Sequence, residues 1–183
     1  MKKIIFISLL VILVVTAIGL LVYFGNYNSQ NYKLELKSVN TFQECADAGQ
    51  PIMESYPRQC NYGGKNFVED IGNELEKTNL IRLDNPRPNQ KITSPLVVAG
   101  EARGNWFFEA SFPVELHDSN NNLLGTGIAT AQGDWMTTNF VPFYVSMTFT
   151  TPQTSNGNLI LKKDNPSGLP EHDDQLIVPV LFQ

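Results

Sequence analysis

The chain has 183 residues, a net charge of −5, a pI near 5.0 and only 17% charged side chains. A mildly acidic chain of this kind lacks the basic footprint of a nucleic-acid binder. Its many Asn, Gly, Pro and Thr residues favour strands and turns over helices, and behind its apolar N-terminus it suits one domain of about 100 residues with a small appendage.

Lys2 and Lys3 precede an apolar run from Ile4 to Phe24, with Ser8, Thr16 and Tyr23 as mild interruptions. At helical rise this run spans roughly 31 Å, enough to cross a hydrocarbon core. It ends in Val22-Tyr23-Phe24 with no small-x-small site, which favours a retained signal anchor over a cleaved signal peptide. The two lysines keep the N-terminus cytoplasmic and send the rest out. Residues 1–25 therefore read as a cytoplasmic stub and a single transmembrane helix in the cell membrane. Secretion after signal cleavage is the alternative. Residues 26–40 are polar and read as a stalk.

Residues 41–70 hold both cysteines, Cys45 and Cys60, and no long apolar run. An even, local pair in an exported segment is most simply one disulfide. In the chain-entropy model a loop of this length restricts the unfolded chain by roughly 3 kcal/mol. A segment this small needs such a staple. Its end, PRQCNYGGKNFVE, reads as a hairpin about Gly63-Gly64. Residues 71–79, IGNELEKTN, are polar and read as a linker.

From Leu80 strand-like runs recur between turns rich in Asn, Gly, Pro and Asp. Predicted strands are Ile81–Asp84, Leu96–Glu101, Asn105–His117, Leu123–Thr130, Tyr144–Thr150, Leu159–Lys163 and Gln175–Phe182. In the third, Trp106, Phe108, Ala110, Phe112, Val114 and Leu116 alternate with Phe107, Glu109, Ser111, Pro113, Glu115 and His117. This period of two predicts one buried and one wet face. Glu109 and Glu115 fall on the wet face, and so, as an oddity, does Phe107. No amphipathic helix is predicted, so residues 80–183 read as an all-β, antiparallel immunoglobulin-like β-sandwich. Trp106, with Trp135, is expected at its centre.

Three stretches in this order and spacing, WFFEASFPV, DWMTTNFVPF and KKDNPSGLP, resemble the immunoglobulin-like domain of bacterial spore germination proteins. The resemblance runs over residues 80–182. It implies a sandwich on the outer side of the membrane acting as a non-catalytic accessory module, often appended to lipoproteins or anchored envelope proteins. It brings no catalytic or ligand residues with it, and the partner domain that accompanies the module in germination proteins is absent from this chain.

Glu109, Glu115, Asp118 and Asp134 are the carboxylates to weigh as an acid/base pair. Glu109 and Glu115 on one strand stand roughly 20 Å apart, too far to flank one bond. Asp118 and Asp134 fall in predicted turns, and His117 and His172 read as isolated surface histidines. No catalytic residue, cofactor or metal set is assigned. The loops DSNNNLLG and DNPSGLPEHDD are rich in oxygen but lack the spacing of a calcium loop. The candidate interaction surface is Phe107, Glu109, Trp135, Asn165 and Pro166, an aromatic and polar set suited to docking a partner. An envelope protein is the expected partner, with peptidoglycan as the other candidate. The alternative function is a cell-wall carbohydrate-binding or wall-directed hydrolytic protein.

Overall fold

Alternating apolar residues make most of the second half into strands in the computed structural model, which describes residues 14–24 and 38–183. Residues 14–24 form helix α1, with exposed side chains. The expected span Ile4–Phe24 lies partly outside the described residues, as does most of the stalk. Among the described residues no helix is long and apolar enough to cross a membrane. The chain divides into two compact units: the part up to Pro51 with Cys60–Phe67, and Ile52–Gln59 with Val68–Gln183.

In the first unit the expected disulfide joins Cys45 to Cys60. Cys45 lies in helix α2 (Phe42–Asp47). The Thr41 hydroxyl accepts the Glu44 amide at 3.1 Å, and the Glu44 carboxylate accepts the Asn40 amide at 2.8 Å. This use of first-turn donors holds a helix too short to persist alone. Strand β1 (Ile52–Met53) belongs to the second unit, and the first takes most of the paired strands β2 (Gln59–Tyr62) and β3 (Lys65–Val68). Gly63 and Gly64 between them have φ of 57° and 77°, the two positive values that a type I′ hairpin requires. Phe42, Cys45 and Cys60 form a small core, with Val39, Tyr62 and Phe67 against it.

The second unit carries β4 (Ile81–Asn85), β5 (Lys91–Ile92), β6 (Leu96–Arg103), β7 (Ser111–Asp118), β8 (Leu123–Ala131), β9 (Phe140–Met147), β10 (Asn156–Lys162) and β11 (Gln175–Phe182). They form one sheet in the order β4-β6-β9-β8-β7-β10-β11-β5. Every neighbouring pair is antiparallel except β11 with β5. The sheet curls, because one apolar core takes Ile81 and Leu83 of β4 together with Leu176, Val178 and Val180 of β11. β8 and β9 pair only through Thr130–Tyr144 and Ala131–Phe143. Beside this short seam Phe112 of β7 meets Phe143 of β9 edge-on, with ring centroids 5.0 Å apart. The expected sandwich is thus realised as one curled sheet rather than two separate ones. Trp106 is buried at its core, and Trp135 packs on the margin.

The main departure from the predicted strands is the third. It begins at Ser111, not Asn105, because the chain first makes a 3-10 turn over Gly104–Trp106 and then a tight reversal. β9 also begins earlier than predicted, at Phe140. Residues 71–79, polar enough to read as a linker, include buried Ile71 and Glu74 and the short helix α3 (Glu74–Lys77). Asn73 works as an extra strand residue on β11. Its amide donates to the Ile177 carbonyl at 3.2 Å, its Oδ1 accepts the Ile177 amide at 2.7 Å, and its Nδ2 donates to the Gln175 carbonyl at 3.0 Å.

Two buried carboxylates fix the same region. Arg58 donates to Glu69 at 2.8 and 2.5 Å, and Arg87 reaches Glu74 at 2.7 Å beside the Tyr56 hydroxyl, which also donates to Glu74. Burial pushes the Glu69 carboxyl up, but the bonds from Arg58 and Asn89 outweigh it and hold the group below its ordinary range. A polar stretch can be buried when each polar group finds its partner.

Candidate functional site

β6 runs out at Arg103, and the chain must reverse before β7 starts at Ser111. Phe108 and Ser111 exchange both backbone hydrogen bonds at 3.0 Å around Glu109-Ala110. Glu109 and Ala110 have φ of 48° and 61°. Two positive central values make this a type I′ turn, the geometry that normally selects Asn-Gly. Here two residues with side chains occupy it, at about 1–2 kcal/mol each. The turn places Phe108 and Glu109 in solvent and turns Phe107 inward.

Two further loops meet this one. Gly104 lies so close to the 133–139 loop that a Cβ there would fall 2.2 Å from the Trp135 carbonyl oxygen and 2.0 Å from that of Thr137. The Asp164 amide donates to the Trp106 carbonyl at 3.0 Å, which ties down the start of the 163–174 loop. Arg103 donates to the Thr138 carbonyl at 2.8 Å. The loops carrying Phe107, Glu109, Trp135, Asn165 and Pro166 therefore cluster at one end of the curled sheet.

The five candidates do not share one role. Phe107 is only 4% exposed, with its ring 5.2 Å from that of Phe112, so it belongs to the core and not to a binding surface. Glu109 is exposed at the tip of the turn. Trp135 is half-buried against the core. Asn165 organises its own loop: Nδ2 donates to the Leu169 carbonyl and to Asp173, and Oδ1 accepts from Ser167. Pro166 is exposed beside it. The sequence reading missed Phe108, 41% exposed, Met136, 79% exposed, and Leu169, 48% exposed, which are the large apolar side chains these loops offer to solvent. Alternation had placed Phe108 inside. The reversal at Glu109-Ala110 carries none of the Asn-Gly or Asp-Gly signal that would have exposed the error.

Asp118 stands at the opposite end of β7 from Glu109, roughly 20 Å away at strand rise. Its oxygens are committed to the Asn120 amide at 2.9 Å, the Asn122 amide at 2.8 Å and the Asn122 side chain at 2.9 Å. Those bonds, that of Asn122 foremost, hold its carboxyl below the ordinary range. Asp134 accepts the Met136 amide at 3.1 Å as a local turn bond. His117 is not isolated: its Nε2 lies 2.9 Å from Glu115, which also takes Lys162 at 2.6 Å. The Lys162 ammonium chiefly holds the Glu115 carboxyl low, and His117 adds to it. Among the described residues no group of three or more His, Cys, Asp or Glu could hold a metal ion.

Two clefts open at this end of the sheet. The larger, about 550 Å³, is lined by Asn73, Lys77, Lys162, Lys163, Asp173, Asp174 and Gln175. Part of its charge is paired: Lys77 pairs with Asp174 at 2.5 Å and Lys162 with Glu115, while the Lys163 ammonium donates to the His172 carbonyl at 3.4 Å. The smaller, about 320 Å³, is lined by Arg103, Asn105, Thr137 and Thr138, with no carboxylate among them.

Comparison with known proteins agrees with this architecture. Residues 80–168 match the family model described as the immunoglobulin-like domain of bacterial spore germination, a stretch just under half of the chain. The matched stretch takes in β4 to β10. β11 lies beyond it, yet pairs with β10 from Gln175 to Leu181 and completes the same core. No curated protein and no solved structure matches the chain significantly.

Proposed function

From the match of residues 80–168 to the immunoglobulin-like domain of bacterial spore germination, we propose that the protein is a non-catalytic cell-envelope module whose loop end docks a protein partner. The observation that carries this reading is the Glu109-Ala110 turn. A chain that needed only to reverse direction would do so with Asn-Gly. Here two left-handed residues with side chains hold a phenylalanine and a glutamate in solvent, and strain of this kind concentrates at working surfaces. Met136 and Pro166 on the adjoining loops extend that surface.

Placement outside the membrane rests on Lys2 and Lys3 ahead of the Ile4–Phe24 run and on the Cys45–Cys60 disulfide, which persists in oxidising compartments. Glu109 and Asp118 stand too far apart to flank one scissile bond, which favours docking over wall hydrolysis. What is proposed is contact with a partner in the envelope, not a step in germination.

A retention assay tests it. The protein and a Phe108→Ser, Met136→Ser variant are each mixed with solubilised envelope proteins and, separately, with purified peptidoglycan. Both side chains are exposed, so the variant keeps its fold. Docking predicts a discrete envelope protein retained by the first and lost by the second. Sedimentation with peptidoglycan alone, abolished in the same variant, would make this a wall-binding domain instead.

A further inference from the structure

The chain has four arginines, Arg58, Arg82, Arg87 and Arg103. Three are neutralised by a glutamate: Arg58 by Glu69 at 2.5 Å, Arg82 by Glu101 at 2.9 Å and Arg87 by Glu74 at 2.7 Å. Among the described residues Arg103 takes only carbonyl oxygens. Nε donates to Asn79 and Nη1 to Thr138, both at 2.8 Å. Its guanidinium carbon sits 4.4 Å from the centroid of the Phe140 ring, against which Arg82 also stacks, at 4.1 Å.

These contacts fix the plane of the Arg103 guanidinium and pair its charge with no carboxylate among the described residues. A guanidinium has five N–H donors, and two are used here. The rest have no partner among the described residues, and Arg103 lines the small cleft. The other lining groups are also potential donors: the Asn105 amide, exposed, and the Thr137 and Thr138 hydroxyls. The Thr137 oxygen already accepts the Asn139 amide at 3.2 Å, so its remaining proton is free to point elsewhere. An arginine held rigid by stacking, beside an amide and two hydroxyls with no carboxylate, has the composition of an oxyanion receptor.

We propose that this cleft binds a single oxyanionic group, a phosphate or a carboxylate, carried by whatever docks at the loop end. Arg103 supplies the charge and the fork of donors, and Asn105 with Thr138 closes the open side. Arg82 adds positive field through the shared ring, and Glu101 tempers it. The proposal rests on the loop end being the docking surface, and it names the chemistry that one corner of that surface recognises.

The test uses the whole protein and small ions. Isotope-labelled protein is titrated with inorganic phosphate, and separately with acetate, at ionic strength held constant with chloride. The signals followed are the Arg103 Nε–H and the Asn105 side-chain amide. Saturable shifts at both are expected, with a Kd on the order of 1 mM. Phosphate tighter than acetate identifies a phosphate-bearing ligand, and the reverse order a carboxylate. Asn105→Ala with Thr138→Val changes two exposed side chains that make no internal hydrogen bond, and should weaken binding about tenfold at unchanged melting temperature. Arg103→Lys keeps the charge but loses the fork, and should weaken it further. Shifts that chloride reproduces, that never saturate, or that survive the double variant would overturn the site. Because no partner is present, failure here leaves the docking assay to stand or fall on its own.

Discussion

Replacing Phe107 and Phe108 by alanine, one at a time, separates the two ways of reading the WFFEASF stretch. Strand alternation puts Phe108 in the core and Phe107 in water. In the structure Phe107 is 4% exposed with its ring 5.2 Å from Phe112, while Phe108 is 41% exposed. Truncating a buried phenylalanine removes its transfer free energy and leaves a cavity, together about 3–5 kcal/mol. Truncating a surface ring away from such packing stays within about 1 kcal/mol. For a unit of this size each kcal/mol moves the melting temperature by about 3–5 °C. Phe107→Ala should therefore lower it by about 10–20 °C, and Phe108→Ala by less than about 5 °C. The assay reports cleanly, because both tryptophans, Trp106 and Trp135, lie in the larger unit and their fluorescence follows its unfolding alone. A larger loss from Phe108→Ala than from Phe107→Ala would refute the turn at Glu109-Ala110 and restore an unbroken strand from Asn105.

The turn itself is open to repair. Ala110→Gly removes left-handed strain and should raise stability by about 0.5–1 kcal/mol, read as a small rise in the same melting curve; a fall would mean that Ala110 is not strained. Gly104→Ala should do the opposite, since its Cβ would strike the Trp135 and Thr137 carbonyl oxygens, and near-wild-type melting would show that the two loops are further apart. Reducing Cys45–Cys60 should release amide protection in α2, β2 and β3, by an amount near the roughly 3 kcal/mol of the loop-closure estimate. Tryptophan-reported unfolding should then be nearly unchanged, and simultaneous loss of both would contradict the division into two units. Glu115 has a depressed carboxyl, so its stabilisation is fully present above its ordinary value of 4.5 and is lost as pH falls through the folded value. As a partly exposed pair it contributes less than about 1 kcal/mol. Glu115→Gln should flatten stability against pH below about 5, measured by urea unfolding, and an unchanged slope would remove the Lys162 pair from the account.

Most of the sheet was legible where alternation was uninterrupted. Phe112, Val114 and Leu116 in β7, and Leu176, Val178 and Val180 in β11, lie buried as their period of two predicts. The disulfide followed from cysteine arithmetic, and the Gly63-Gly64 hairpin from the only residues that adopt positive φ without strain. The site was less legible because it depends on exceptions. Glu109-Ala110 turns without glycine or asparagine, so the pattern ran straight through it and exchanged Phe107 with Phe108. Residues 71–79 are polar because they exchange hydrogen bonds with β11 and accept the Arg87 guanidinium on Glu74, and sequence alone cannot tell a polar stretch with buried partners from a solvated one. Arg103 was invisible for a third reason: its lack of a carboxylate partner among the described residues is a property of the assembled loops, not of the residues beside it in the chain.

The docking claim is tested most directly by photocrosslinking in the cells that make the protein. A photoreactive side chain is placed at position 108, at 136 and, as a control, at 121, in the exposed Asn121 turn at the far end of β7. The account predicts that 108 and 136 capture the same envelope protein and that 121 captures none. Equal capture from 121, or none from 108 and 136, would contradict it.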